Sequence, residues 1–478
     1  MSTGAPATRA PRWFLWGLVA LTALGLGIRL TNVLVWRPTC DEDLVAIARD
    51  GRLEELDPQP PDCFAVRGDA LYAYYQAYWN GHGRWYVDGA DYFFDEGDLS
   101  QPGAQDLPLL ALVLGAVAAT GLDSPTAMRV TTSVIGATVV VLCGLVGRRV
   151  AGARAGLLAA GLAAVHPLLW INDGMLMTEA LYAPLIAAVM LAAYALWDRP
   201  GPVTAAVLGG LIGLAALTRG EAVLLVALLG APMLWGLRRR DVIAWRRAAL
   251  LLGVSGAAAA VLLVPWVSWN LVRFEHPVTL TSGTGAVLSA GSCDPEFEGP
   301  FLGFWGNCYD LHVREGLTEA PPPGHDADES ELDLLKREGA TAYLADHLDR
   351  LPVVVAARVG RMWDLYEPGQ MAWLNATLEG RGKGPSDAGV RLHLLFLLPA
   401  GLAGGAILWR RSVPVSPFVA QAVAVTLTAA LSFGLTRYRV PVDVALVILA
   451  AVAVDALARR RWPQSDGGSV RRRDEVAP

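Results

Sequence analysis

The chain has 478 residues, 54% of them hydrophobic and only 18% charged, with a mean hydropathy of +0.39 and a net charge of −6. Soluble domains carry about 25% charged residues, and here the apolar surplus falls in blocks of roughly 16–24 residues, the length a helix needs to cross ~30 Å of hydrocarbon. That excludes a soluble enzyme, a nucleic-acid-binding module and a disordered chain, and leaves a polytopic membrane protein.

In chain order, residues 13–35 read as a first span that is not cleaved, since the stretch is too long for a secretory peptide and lacks a small-residue cleavage site. An acidic segment, 36–106, precedes apolar stretches at 107–122, 128–149, 153–171, 176–197, 203–218, 221–237 and 248–271. A second acidic segment, 272–389, precedes 391–409, 413–435 and 439–458, and a basic tail closes the chain at 461–478. Helix is the default for every apolar stretch, because a lipid-exposed backbone must satisfy its own hydrogen bonds. The second acidic segment reads as loop to about 325, then as a helix from near Ser330, capped by Asp326 or Asp328 and interrupted at Pro352. Residues 1–271 thus form an N-terminal transmembrane module, 272–389 a separate segment, and 390–460 the last helices.

The net charge is unevenly placed. Residues 36–106 hold 15 acidic and 5 basic side chains, and residues 272–389 hold 19 acidic and 9 basic, so each segment stands at −10 and the rest of the chain at +14. Arg and Lys flanking spans are retained in the cytoplasm. Both acidic segments therefore face outward, and the clusters Arg148/Arg149/Arg154, Arg199, Arg238 to Arg240, Arg410/Arg411 and Arg459 to Arg461 face inward. All clusters fall inside together only if 107–122, short and bounded by Pro108 and Gly121, is an interfacial or re-entrant helix. Ten crossings follow, with both termini cytoplasmic in a plasma or inner membrane; eleven is the alternative.

Four cysteines lie in the acidic segments: Cys40 and Cys63 in the first, Cys293 and Cys308 in the second. They allow three pairings; pairing within each segment is the simplest, an oxidising compartment permits it, and free thiols are the alternative. Ionisable groups at span ends are functional candidates by default. They are Arg29; Asp173 and Glu179 in HPLLWINDGMLMTEAL; Arg219 and Glu221 in LTRGEAVLL; and Arg437, Arg439 and Asp443 in LTRYRVPVDVAL. Asp69 opens an aromatic-rich stretch whose Tyr72 and Tyr75 suit either the membrane interface or stacking on a sugar ring. The plain alternative is that these charges pair with one another to hold short loops. Taken together they suit an anionic lipid head group, because Arg binds phosphate in bidentate fashion and a carboxylate can act as general base towards a hydroxyl.

These segments resemble the GT-C superfamily of integral-membrane glycosyltransferases, in its protein-mannosyltransferase-like and ArnT-like branch (glycosyltransferase family 39-like). GDALYAYYQAYWNGHGRWYVDG is similar to that branch's first-loop pattern, AQDLPLLALVLGAVAATGLDSP to its HPPLY-type segment, and MTEALYAPL to its Ser/Thr-Glu segment. LTRGEAVLL resembles its Arg-Pro-Glu segment and RYRVPVDVALVILAA its late Arg-x-Arg-x-Pro segment, all in the family order over some 370 residues.

The resemblance implies an all-α GT-C-type bundle. It also implies an inverting enzyme that moves a hexosyl or pentosyl unit from a polyprenyl-phosphate donor to an acceptor hydroxyl outside the cytoplasm. By motif match, Asp69 is the catalytic base and Glu179 a second carboxylate or brace. Arg219, Arg437 and Arg439 hold the lipid phosphate, with Glu221, Asp443, Tyr72 and Tyr75 lining the substrate site. Asp41 and Glu42 are the rival first-loop acids. Asp106 and Leu107 replace the His and first Pro of the HPPLY-type segment, so that histidine's role does not carry over. No metal-ligand spacing is present and no cofactor is expected, although some relatives use a divalent ion. A transporter or flippase, or an envelope scaffold with a degenerate site, are the alternative readings.

Overall fold

The structure, a computed structural model, describes residues 10–40, 63–66, 69–86, 102–322 and 327–461. Asp41, Glu42, Asp326 and the basic tail beyond Arg461 lie outside the described residues. Among those described, the backbone is helical apart from turns and one isolated parallel bridge between Thr39 and Phe64.

The first helices are α1 (Arg12–Thr31, continued by a π-helical turn to Trp36), α2 (Asp69–Gly81), α3 (Leu109–Ala118) and α4 (Pro125–Ala151). Then come α5 (Ala153–Val165), α6 (Pro167–Asp173), α7 (Glu179–Asp198), α8 (Pro202–Ala216), α9 (Ala231–Arg239) and α10 (Trp245–Arg273). The second acidic segment supplies α11 (Thr284–Ala290), α12 (Asp294–Phe297), α13 (Tyr309–Arg314), α14 (Glu329–Asp346), α15 (Leu351–Met362) and α16 (Pro368–Thr377). The last four are α17 (Lys383–Leu392), α18 (Leu398–Arg410), α19 (Ser416–Leu431) and α20 (Val440–Arg461).

Among the described residues, seven helical runs are long and apolar enough to cross a membrane, and α5 with α6, bent by 57°, makes an eighth. This is a multi-pass membrane protein. α8 and α19 are apolar but have only 15 and 16 residues. Counted with them, the runs correspond to the ten segments named from sequence; length alone gives seven or eight. α3 has 10 residues, about 15 Å at 1.5 Å per residue and half of what a crossing needs. It packs along α2 so closely that a Cβ added at Gly81 would stand 2.6 Å from that of Ala118.

The bundle closes on α20, in which every residue from Val440 to Ala453 is buried. Without a hydrophobic drive between helices in lipid, small residues let backbones meet. At Gly209 of α8 an added Cβ would fall 2.0 Å from the Ser255 carbonyl oxygen of α10. Buried charge ties the N-terminal helix in: Arg29 Nε donates to Asp173 Oδ2 at 2.5 Å, and the absence of a side chain at Gly136 makes room for that carboxylate.

Disulfides join Cys40 to Cys63 and Cys293 to Cys308. The second closes a separation of 15 residues, a loop whose restriction in the unfolded chain is worth about 3 kcal/mol. The paired substitution Cys293→Ser/Cys308→Ser is therefore expected to lower the melting temperature in detergent by several degrees. An unchanged melting curve would show that the loop keeps its shape without the crosslink.

Candidate active site

The charged groups assemble where helices stop or start. α8 ends at Ala216, and Arg219 follows in extended conformation as the cap of a one-turn 3₁₀ helix, Gly220–Leu224. α19 ends at Leu431, and a second such turn, Thr436–Arg439, carries Arg437. Glu179 opens α7, Asp69 opens α2, and Glu379 and Arg381 follow α16. An acid in the first turn, as at Asp69 and Glu179, suits the positive end of a helix dipole.

Arg437 is the hub. Its Nη1 lies 2.5 Å from Asp69 Oδ2 and its Nε 3.8 Å from Glu379 Oε2. Arg381 donates from Nη1 to Glu379 at 2.9 Å and from Nε to Asn172 Oδ1 at 2.8 Å. Arg219 donates to Glu179 at 2.9 Å and to Glu221 at 2.6 Å, with its guanidinium 4.5 Å over the Tyr438 ring. The exposures differ usefully: the Asp69 side chain is 47% exposed, Arg437 14% and Glu179 1%. Asp69 is thus reachable from solvent, whereas the cations around it are largely enclosed.

The electrostatics follow from those neighbours. The Arg437 guanidinium holds the Asp69 carboxyl below its ordinary range, and Arg219 and Arg381 act in the same sense. At Glu379 burial opposes the charge, but Arg437 and Arg381 outweigh it and the carboxyl stays low. Asp106 differs: burial first, then the nearby Asp69 charge, push its carboxyl up to about 7. It lines a cavity of about 10 Å³, room for a single water, with Tyr72, Gln76, Leu107 and Thr178.

A carboxyl whose pKa rises on folding supports the fold below its unfolded value and loses that support as pH climbs through the folded one. For Asp106 the window runs from about 4 to about 7. Asp106→Asn is expected to raise the melting temperature at pH 8 by a few degrees and to leave it unchanged near pH 4. An effect of the same size at both pH values would remove the ionisation of buried Asp106 as its cause.

The structure brings together Asp69, Glu179, Arg219, Glu221 and Arg437, and separates the other residues expected there. Arg439 and Asp443 are fully buried: Arg439 donates to Asp364 at 2.5 Å, to Asp443 at 2.9 Å and to the Met362 carbonyl. With both carboxylates engaged on it, Arg439 is not placed to meet a phosphate. Tyr72 and Tyr75 are buried. The Tyr72 hydroxyl donates to Glu329 and accepts from the Gln105 amide, and Tyr75 packs edge-on against Trp79. Arg29 and Asp173 form the buried pair described above. Arg381, Glu379 and Asp364 escaped the sequence reading because they lie in the second acidic segment, outside any recognised motif. Asp106 was noted there only as a missing histidine.

The carboxylates of this group each turn to a guanidinium rather than towards a common point. Among the described residues, Cys293, Glu296 and Cys308 have ligand atoms close enough to share an ion, but the disulfide occupies both sulfurs.

No protein-family model and no curated protein matches the chain. Among solved structures it is similar to the oligosaccharyltransferase AglB of Archaeoglobus fulgidus in complex with an inhibitory peptide and a dolichol-phosphate. That likeness has a TM-score of 0.51 and 15% identity over 94% of this chain and 50% of that one. The Archaeoglobus fulgidus oligosaccharyltransferase tethered to an acceptor peptide gives 0.52 and 16%, with the same coverage. ArnT from Cupriavidus metallidurans bound to undecaprenyl phosphate is 17% identical, covered over 94% of this chain and 79% of that one, at a TM-score of 0.39. The chain spans about half the length of the oligosaccharyltransferases it matches. At such identities the likeness is one of fold. The chain has the all-helical membrane fold of the Archaeoglobus fulgidus oligosaccharyltransferase.

Proposed function

We propose that the protein transfers a sugar from a polyprenyl-phosphate donor to a hydroxyl of an acceptor on the outer face of the membrane, with inversion at the anomeric carbon. One observation carries the reading: a half-exposed carboxylate, Asp69, stands against a cluster of three arginines at the ends of apolar helices. Such a cluster offers a base and an anion site within one group.

In the reaction Asp69 takes the proton of the acceptor hydroxyl. The oxygen so freed attacks the anomeric carbon on the face opposite the phosphate. The carbon–oxygen bond to phosphate breaks, and its electron pair leaves with the phosphate oxygen. Arg437 and Arg219 stabilise the charge that develops there, as fixed donors in an enclosed site do. Glu179, wholly buried, orients Arg219 rather than meeting substrate. Both termini lie in the cytoplasm, which puts the two acidic segments and the arginine cluster on the outer side.

Purified protein in nanodiscs, given radiolabelled polyprenyl-phosphate sugars and a mixed envelope extract as acceptor, is expected to release polyprenyl phosphate and label the acceptor. A transporter or a scaffold would leave the donor intact, and that outcome would overturn the proposal.

A further inference from the structure

Two guanidiniums of the site converge on one poor acceptor. Met177 Sδ lies 3.6 Å from Arg381 Nη2 and 3.7 Å from Arg437 Nη1. A thioether sulfur accepts weakly, whereas each of these groups is a charged donor suited to a bidentate anion. Arg381 has spent its other edges on Asn172 and Glu379, so only the edge facing Met177 lacks a strong partner. Arg437 Nε, although buried, makes no hydrogen bond. Arg381 Nη2 thus meets only a weak acceptor, the Arg437 nitrogen beside the same sulfur is the one that holds Asp69, and a flexible apolar side chain stands between the two guanidiniums.

The turn that supplies Met177 is built to hold its position yet allow the side chain to move. Leu176, buried and with φ of +54°, takes a backbone conformation that costs a non-glycine residue energy. Asn172 and Glu179 fix the turn's two ends to Arg381 and Arg219. Methionine itself is unbranched and has three rotatable bonds, so its sulfur can swing away without moving the turn.

We propose that Met177 is a stand-in for the donor's phosphate. The phosphate displaces the sulfur, is held between Arg381 and Arg437, and in engaging Arg437 releases Asp69, which is then free to take the acceptor's proton. No bond is made or broken in this exchange: one carboxylate leaves a guanidinium and one phosphate replaces it. Donor binding therefore precedes activation of the acceptor. The inference rests on the phosphate-linked donor proposed above and adds to it Arg381, Met177 and an order of events.

The test measures affinity for undecaprenyl phosphate, with undecaprenol and inorganic phosphate as the two comparison ligands, on full-length protein in nanodiscs. Arg381→Gln is expected to weaken undecaprenyl phosphate binding at least tenfold and undecaprenol binding less than twofold. Arg381→Lys, which keeps the charge but loses the fork, should fall between. Met177→Ala removes the stand-in and is expected to tighten undecaprenyl phosphate binding about three- to tenfold. Asp69→Asn removes the competing carboxylate and should tighten it as well. Each variant is compared at equal melting temperature, and unfolded preparations are set aside in favour of the Lys variant.

Affinity within twofold of wild type for both Arg381→Gln and Met177→Ala, with binding lost in Arg437→Ala, would overturn the stand-in while leaving the donor reading in place. Equal affinity of the wild type for undecaprenol and undecaprenyl phosphate would overturn both. Arg381-dependent binding of inorganic phosphate without binding of the lipid would move the site to a free anion and overturn the lipid part.

Discussion

Asp69→Asn is expected to lower sugar transfer by about 10²–10⁴-fold, the range that general base catalysis supplies, and to leave the protein inserted and folded. The asparagine amide has the shape of the carboxylate but cannot accept the acceptor's proton. The effect on stability is small because the Asp69 side chain is 47% exposed, and ion pairs open to water are worth about 0–1 kcal/mol. The measurement pairs initial rates of donor turnover with melting curves in the same detergent. Transfer within fivefold of wild type would take Asp69 out of the base role, whatever the melting curve shows.

The second large effect separates two arginines that stand two positions apart. Arg439→Ala strips a wholly buried guanidinium from Asp364 and Asp443, both also at 0% exposure. Breaking a buried pair by removing one partner costs about 3–5 kcal/mol, since the remaining charge is left uncompensated. Low yield and a large fall in melting temperature are expected. Arg437→Ala leaves Asp69 in contact with solvent and Glu379 still paired with Arg381. It is expected to insert and melt like the wild type while donor turnover falls by more than tenfold. If Arg439→Ala melts normally and Arg437→Ala does not, the division of the two into a brace and a ligand is reversed.

That division explains how far the linear sequence could be read. The apolar blocks gave the membrane fold because hydrocarbon imposes its length requirement locally, residue by residue. The side of a helix that a charge faces is not local. Arg437 and Arg439 share one motif and one turn, yet one points at Asp69 and the other at Asp364, 75 positions away in the chain. Nothing in RYRVP distinguishes them. The same holds for Tyr72, whose aromatic surroundings suggested a sugar platform, whereas its hydroxyl reaches Glu329 across 257 positions. Glu379 and Arg381 sit in a polar stretch where charge is ordinary, so only their three-dimensional approach to Arg437 marks them. Motif order located the elements that bear the charged cluster; tertiary packing decides which charges meet in it.

α8 and α19 cover only about 22 and 24 Å at 1.5 Å per residue, less than the ~30 Å of a typical hydrocarbon layer. A span shorter than its bilayer is accommodated by thinning of the lipid around it. Arg219 and Arg437 lie within six residues of the ends of these two helices, so a crossing by α8 and α19 would set the arginines in the dimple that such mismatch creates. A lipid whose tail stays in the membrane would then present its head group at the depth of the arginines without being lifted out of its leaflet. Lengthening α8 or α19 by one turn would flatten the dimple and strand the head group above the site, even with every charged side chain retained.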